Sequence, residues 1–234
     1  LSREMRHWGD FASSLESSIT GLNVHRLEMP GAGTKMNVSA PLTIRGYVDH
    51  LRAEFLALKK STAGPWCCFG ISMGAIVTLE WGRLYPNDFH HVFLVNTSVK
   101  NLSPFWHRMR PGSMLRVLKI FSFRDFKRKE ELILDLTSYK YKKHEKSSQI
   151  VQSWKEFRDE YPIKRSNILR QIYAASSYKL TEKLDVGCSI YLGEDDELCS
   201  VECGNALAKF LNVEVDLCHQ AGHDLPLDNP DWLI

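Results

Sequence analysis

Trp66-Cys67-Cys68-Phe69-Gly70-Ile71-Ser72-Met73-Gly74 is the stretch on which the reading of this chain turns. Its first four residues form an apolar run of the length of a buried strand. The residues after Gly74 (Ala75, Ile76, Val77, Leu79, Trp81) carry the apolar density of a packed helix. Between the two, Gly-x-Ser-x-Gly leaves room for one sharp turn. A serine at such a turn is forced into a strained backbone conformation, and the flanking positions need glycine to avoid clashes. The strain projects the Ser72 hydroxyl clear of the chain. The next N–H, that of Met73, opens the helix, where developing negative charge is favoured. Glycine and serine are common in turns, so the pattern is weak alone; the strand before it and the helix after it give it weight.

Working outward, Trp8, Phe11, Leu15 and Ile19 fall at helical spacing and predict an amphipathic helix ending near Gly21. Residues 23–29 alternate and meet Pro30-Gly31-Ala32-Gly33, which predicts a strand running into a glycine-rich turn. Thr43 can cap a helix whose apolar face is Ile44, Tyr47, Val48, Leu51, Phe55 and Leu58. After the elbow helix, residues 91–96 are a further short apolar run bounded by turn residues. Residues 186–192 and 213–217 read as two more strands, with Ser200 capping the helix between them. Strands that alternate with helices and are apolar on both faces imply a parallel sheet covered on each side.

That rhythm breaks over residues 99–184, where helical periodicity appears at 114–121, 127–136, 150–157 and 163–173 without strands. The division expected is a core of residues 1–98, a helical lid insertion of residues 99–184, and the rest of the core over residues 185–234. Within residues 101–150 there are twelve Lys and Arg against five Asp and Glu. Such basic runs are ordinarily solvated helix faces; the functional alternative is attraction of an anionic substrate or carrier.

With 234 residues the chain can bury a full core and is most simply one domain with an insertion. Its 44% hydrophobic and 25% charged content are those of a soluble globular protein, and a net charge of +2 gives no argument for nucleic acid. No apolar run has the length of a membrane span, and no signal segment opens the chain. The six cysteines show neither Cys-x-x-Cys spacing nor scaffold density, so they read as buried free thiols of a reducing, cytoplasmic compartment. The opening at Leu1 and the close at Ile234 predict a fragment of a longer product.

Serine is a poor nucleophile at neutral pH unless a base removes its proton, and that base needs an anion to orient it. Parallel sheets gather such groups at the carboxyl ends of their strands. Three loops fit: Ser72 after one strand, an aspartate after the 186–192 strand, and His223 after the last. Of nine histidines, His25 and His91 lie in expected strands, His50 mid-helix, and His107 and His144 in the insertion. His219 is the nearest rival but precedes the Gly222 turn rather than following it, so His223 is the choice given the fold. Asp195 and Asp196 compete for the acid; in a turn opened by Gly193 the third residue on is the usual place for the carboxylate, so Asp196 leads. The loop after the 91–96 strand reads Asn96-Thr97-Ser98 and offers no carboxylate.

Four signposts carry a resemblance: Pro30-Gly31-Ala32-Gly33, the elbow from Gly70 to Gly74, Gly193-x-x-Asp196, and Gly222-His223 followed by Pro226. Together they make the chain resemble the α/β-hydrolase superfamily, in particular the small bacterial serine esterases. The resemblance implies an α/β fold with a mostly parallel central sheet and a helical lid insertion, lacking the family's first strands. It implies a serine hydrolase that cleaves a carboxylic ester through an acyl-enzyme, with Ser72, His223 and Asp196 catalytic and Met73 N–H in the oxyanion hole. Phe105, Trp106 and Met109 would line an acyl pocket. No metal or organic cofactor is implied, and the expected partner is a small acyl ester. Thioester cleavage, carbon–carbon hydrolysis or a lyase reaction on an anionic substrate would use the same groups, and a non-catalytic binding module is the rival from another class. One departure is that no His-Gly loop precedes Trp8-Gly9, and that loop supplies the family's second oxyanion donor. Loss of one such donor costs about a hundred- to a thousandfold in rate.

Overall fold

The computed structural model describes residues 2–234 and centres on four parallel strands in the order β1 (Cys67–Ile71), β2 (His91–Val95), β3 (Gly187–Gly193), β4 (Val215–Cys218). The register pairs Gly70 with Leu94, Leu94 with Ile190, and Ile190 with Val215. Parallel neighbours require crossovers, and helices supply them. Helix α1 (Phe11–Ser18) and α2 (Ile44–Ser61) precede β1, and α3 (Met73–Leu84) joins β1 to β2. Helices α4 (Phe105–Arg108), α5 (Pro111–Ser122), α6 (Phe126–Thr137), α7 (Ser147–Glu160) and α8 (Arg165–Ser177) all fall between β2 and β3. Helix α9 (Val201–Leu211) joins β3 to β4, and two single turns, α10 (Leu225–Asp228) and α11 (Pro230–Leu233), close the chain.

Alternation along the strands divides the core between two faces. Val92, Leu94, Ile190 and Leu192 pack into the main cluster with Tyr47, Val48 and Leu51 of α2, Ile76 and Leu79 of α3, and Leu207 of α9. The opposite face carries an aromatic row, Phe69, Phe93 and Tyr191, with ring centroids 6.3 and 6.2 Å apart. Trp8 and Phe11 cover Phe69, and Trp232 meets Tyr191 edge-on at 5.7 Å. The first face is thus buried, whereas Phe69, Phe93 and Tyr191 on the second are covered only in part and remain half-buried.

Local signals formed the elements they specify. The Thr43 hydroxyl accepts from Gly46 N at 3.2 Å and starts α2, and the Ser200 hydroxyl accepts from Glu202 N at 3.4 Å and starts α9. Gly31 stands at φ +89°, and a Cβ there would come within 2.9 Å of the Ala40 side chain, so the glycine-rich turn needs glycine at that point. Asn167 of α8 holds the same turn: its Nδ2 donates to Gly31, Met36 and Val38 carbonyls, and its Oδ1 accepts from Ala40 N.

Two expectations need correction. Residues 23–29 are not a strand: their backbone pairs with no strand among the described residues, and alternation alone makes no ladder without a partner. The N-terminal helix is split, with Trp8 ending a single 3-10 turn (Met5–Trp8) and Gly9 at φ +52° breaking it from α1. Of the six cysteines, all free, Cys199, Cys203 and Cys218 are buried while Cys67 is exposed on β1.

Candidate active site

Ser72 sits between β1 and α3 with φ +55° and ψ −117°, a conformation costly for any residue with a Cβ. Its N–H donates to Val95 O at 2.9 Å and its carbonyl accepts from the Thr97 hydroxyl at 3.0 Å, so the tip of β2 holds the strained turn. Close approach is enforced from both sides: a Cβ on Gly70 would stand 2.5 Å from Gly74 O and 2.6 Å from the Thr78 hydroxyl. Met73 is the first residue of α3, where backbone N–H groups have no intrahelical acceptor.

At the end of β3 the turn places Asp196, 2% exposed, against His223, 7% exposed, from the loop after β4. Asp196 Oδ2 lies 2.6 Å from His223 Nδ1. The other carboxylate oxygen, Oδ1, accepts from Leu198 N at 2.8 Å and Cys199 N at 2.9 Å. Those two donors fix the carboxylate so that Oδ2 faces the imidazole, which assigns the ring proton to Nδ1 and leaves Nε2 as the basic nitrogen. Asp195 does not reach the ring; its N–H instead donates to Ala221 O at 3.0 Å. His219 is also elsewhere, paired at the surface with Glu194 at 2.7 Å.

The structure therefore joins Asp196 to His223 and sets Ser72 on the same carboxyl edge of the sheet. Among the described residues, neither the Ser72 hydroxyl nor His223 Nε2 has a hydrogen-bond partner. Neither is among the buried polar atoms left unpaired, so both are open to solvent. Phe105 and Trp106 are 59% and 60% exposed and Met109 is half-buried. A cleft of about 390 Å³ opens between α6 and α7, lined by Lys127, Tyr141, Lys142 and Val151, and none of its lining residues belongs to the Ser72, Asp196 and His223 set.

Two residues missed in the sequence organise this edge. Asn96, buried at the end of β2 with φ +46°, donates through Nδ2 to Gly222 O at 3.0 Å and His223 O at 2.9 Å. Its Oδ1 accepts from Gly193 N at 2.8 Å. Asp228, 2% exposed, accepts from Gly222 N and Tyr139 N, each at 2.7 Å, and from the Ser138 hydroxyl. Asp224 N donates to Thr137 O at 2.8 Å, so the end of α6 is fastened to the His223 loop. Burial raises the Asp224 carboxyl to about 6. The signal available for Asn96 was a polar side chain ending an apolar buried strand, which must find partners.

The family model described as the alpha/beta hydrolase family matches residues 2–234, and the chain belongs to that family. A search of curated proteins found no match. Among solved structures, a lipase designated putative from Acinetobacter baumannii is similar with a TM-score of 0.76 at 20% identity, over 100% of this chain and 78% of that one. The 2-hydroxy-6-oxo-6-phenylhexa-2,4-dienoate hydrolase of a Rhodococcus strain gives 0.67 at 20% identity, over 88% and 75%. A type II thioesterase from the borrelidin biosynthetic cluster gives 0.55 at 17% identity, over 88% and 76%. At these identities the likeness is one of fold. No described helix is long and apolar enough to cross a membrane, and no described group of three or more His, Cys, Asp and Glu could hold a metal ion.

Proposed function

We propose that the protein is a serine hydrolase that cleaves a carboxylic ester through an acyl-enzyme. The observation that carries this is the buried Asp196–His223 pair at 2.6 Å, on the sheet edge that also bears Ser72 on a strained turn. Ser72 Oγ attacks the ester carbonyl while His223 Nε2 takes its proton; the resulting imidazolium is stabilised by Asp196 across Nδ1. Met73 N–H, at the start of α3, donates to the oxyanion. His223 then returns the proton to the departing alcohol, and water repeats the sequence to release the acid. Ser72 and His223 do not hydrogen-bond directly, and substrate binding is to bring them into reach, as catalytic hydrogen bonds often tighten only in the complex.

Helices α4 to α8 act as a lid over this edge, with Asp228 and the Asp224–Thr137 bond as its anchor beside His223. Phe105, Trp106 and Met109, the first two exposed and the third half-buried at the start of the lid, are the apolar side chains assigned to the acyl group. A second reading keeps the groups and changes the substrate to an anionic thioester or dienoate, favoured by the excess of cations in the 101–150 segment. Ser72→Ala is expected to lower hydrolysis of short p-nitrophenyl esters by about four orders of magnitude or more with the melting temperature retained. Undiminished turnover would refute the assignment, and a panel of ester, acyl-CoA and dienoate substrates ranks the two readings.

A further inference from the structure

Helix α5 (Pro111–Ser122) turns an apolar face to water. At 3.6 residues per turn, Met114, Leu115, Leu118 and Phe121 share one face of about 120°. All four are exposed, Leu115 and Leu118 at 67% and 60%. The side that faces the protein is mixed: half-buried Val117 and Ile120 share it with Ser113, buried with its hydroxyl on Glu197 O, and with Arg116, which pairs with Asp135 and Glu197. An ordinary surface helix does not leave four large apolar side chains of one face in water. The exposed face is also held in place, because Arg110 N donates to Leu198 O at 3.1 Å and Arg108, at the end of α4, donates to the Ala175 and Ser176 carbonyls. Phe105 and Trp106 stand exposed in the turn just before it.

Charge says what covers this face. Residues 101–128 contain seven Lys and Arg and one acid, Asp125. Lys119 borders the apolar face and, like Arg124 and Lys127 beyond the helix, has no acidic partner among the described residues. A fixed apolar face bordered by the unneutralised Lys119 and followed at once by Arg124, with an exposed Trp and Phe nearby, has the composition of a helix that lies in a membrane interface and is drawn to anionic headgroups. A second copy fits poorly, since a two-fold contact through α5 would bring two strongly basic surfaces together.

We propose that the exposed face of α5 is a docking surface for an anionic lipid bilayer, which the protein binds peripherally without spanning it. The apolar side chains enter the headgroup boundary, and Lys119 and Arg124 meet the lipid phosphates and carboxylates. This binding does not depend on the reaction assigned to Ser72.

The test is co-sedimentation of the Ser72→Ala protein, in which hydrolysis plays no part, with vesicles of phosphatidylcholine alone or mixed with phosphatidylserine. Binding is expected to the mixed vesicles, to weaken steeply with added salt, and to be nearly absent on phosphatidylcholine. Each of Leu115→Ser/Leu118→Ser and Lys119→Glu/Arg124→Glu is expected to weaken it about tenfold or more, with an unchanged melting temperature because all four side chains are exposed. Failure to bind the mixed vesicles at low salt, or binding that neither double variant weakens, overturns the proposal. So does a stable dimer in light scattering that Leu118→Asp dissociates, which would give the face to a second copy.

Discussion

Ser72 holds a backbone conformation that only glycine adopts without strain, at φ +55° and ψ −117°. A residue is kept in such a state when its surroundings over-determine it, here through Val95 O, the Thr97 hydroxyl and the close passage of Gly70 past Gly74. Stability and activity are therefore opposed at this one position. Ser72→Gly is expected to be more stable than Ser72→Ala by about 1 kcal/mol, because both lose the hydroxyl and only glycine relieves the strain. Urea denaturation of the two variants measures this, and a Ser72→Gly protein less stable than Ser72→Ala by the ordinary glycine entropy cost of about 0.4–1 kcal/mol would mean the turn is not strained. Gly70→Ala is expected to lose about 1–3 kcal/mol, since its Cβ would press on a backbone carbonyl that α3 cannot withdraw.

Among the elements, β2 contributes no member of the proposed triad yet its end holds the other strand ends together. Asn96 ties Gly193, Gly222 and His223 through backbone groups, and Thr97 ties Ser72. Asn96→Ala would strand three buried polar groups, which costs about 2 kcal/mol or more. Its effect on ester hydrolysis is expected in kcat rather than KM, because the His223 loop shifts while the substrate surface does not. A fall in KM-limited binding alone, with kcat intact, would show that Asn96 only supports the fold. None of this was legible in the sequence, where Asn96 is 126 and 127 positions from the carbonyls it holds and carries no charge to draw notice. What was legible was local. The four strands, their helices and the caps at Thr43 and Ser200 follow from short-range pattern, whereas residues 23–29 carry a strand's alternation but find no ladder. Asp196 was legible as the third residue after Gly193, the usual place for the carboxylate, and its meeting with His223 joins groups 27 residues apart. The outward apolar face of α5 was invisible because periodicity gives the existence of a face, not its direction.

The molecule as a whole carries buried titratable groups with opposite effects on its stability. Burial and the nearby Arg3 lower His7 to about 2 from an ordinary value of 6.5, so the folded protein keeps it neutral where the unfolded chain would protonate it. Its contribution is present above pH 6.5 and is lost progressively as the pH falls below that, by up to about 1.4 kcal/mol per unit. Burial raises Glu28 and Asp224 to about 6 each, and these favour the folded state at low pH and cease to do so as the pH rises through 6. The two trends offset in part, so the acid limb is best isolated by substitution. His7→Gln is expected to flatten the decline in melting temperature between about pH 6.5 and 4. An unaltered slope would place the acid sensitivity in other groups.

All of these scales meet in one chemical claim, that Ser72 is a nucleophile activated by His223 and Asp196 at the carboxyl edge of the sheet. Labelling by a fluorophosphonate probe, with the modified peptide identified by mass spectrometry, tests it most directly. The expected result is a single adduct on Ser72 that His223→Ala suppresses while the fold is retained. Absence of label on Ser72 in the folded protein, or labelling that His223→Ala leaves undiminished, would contradict it.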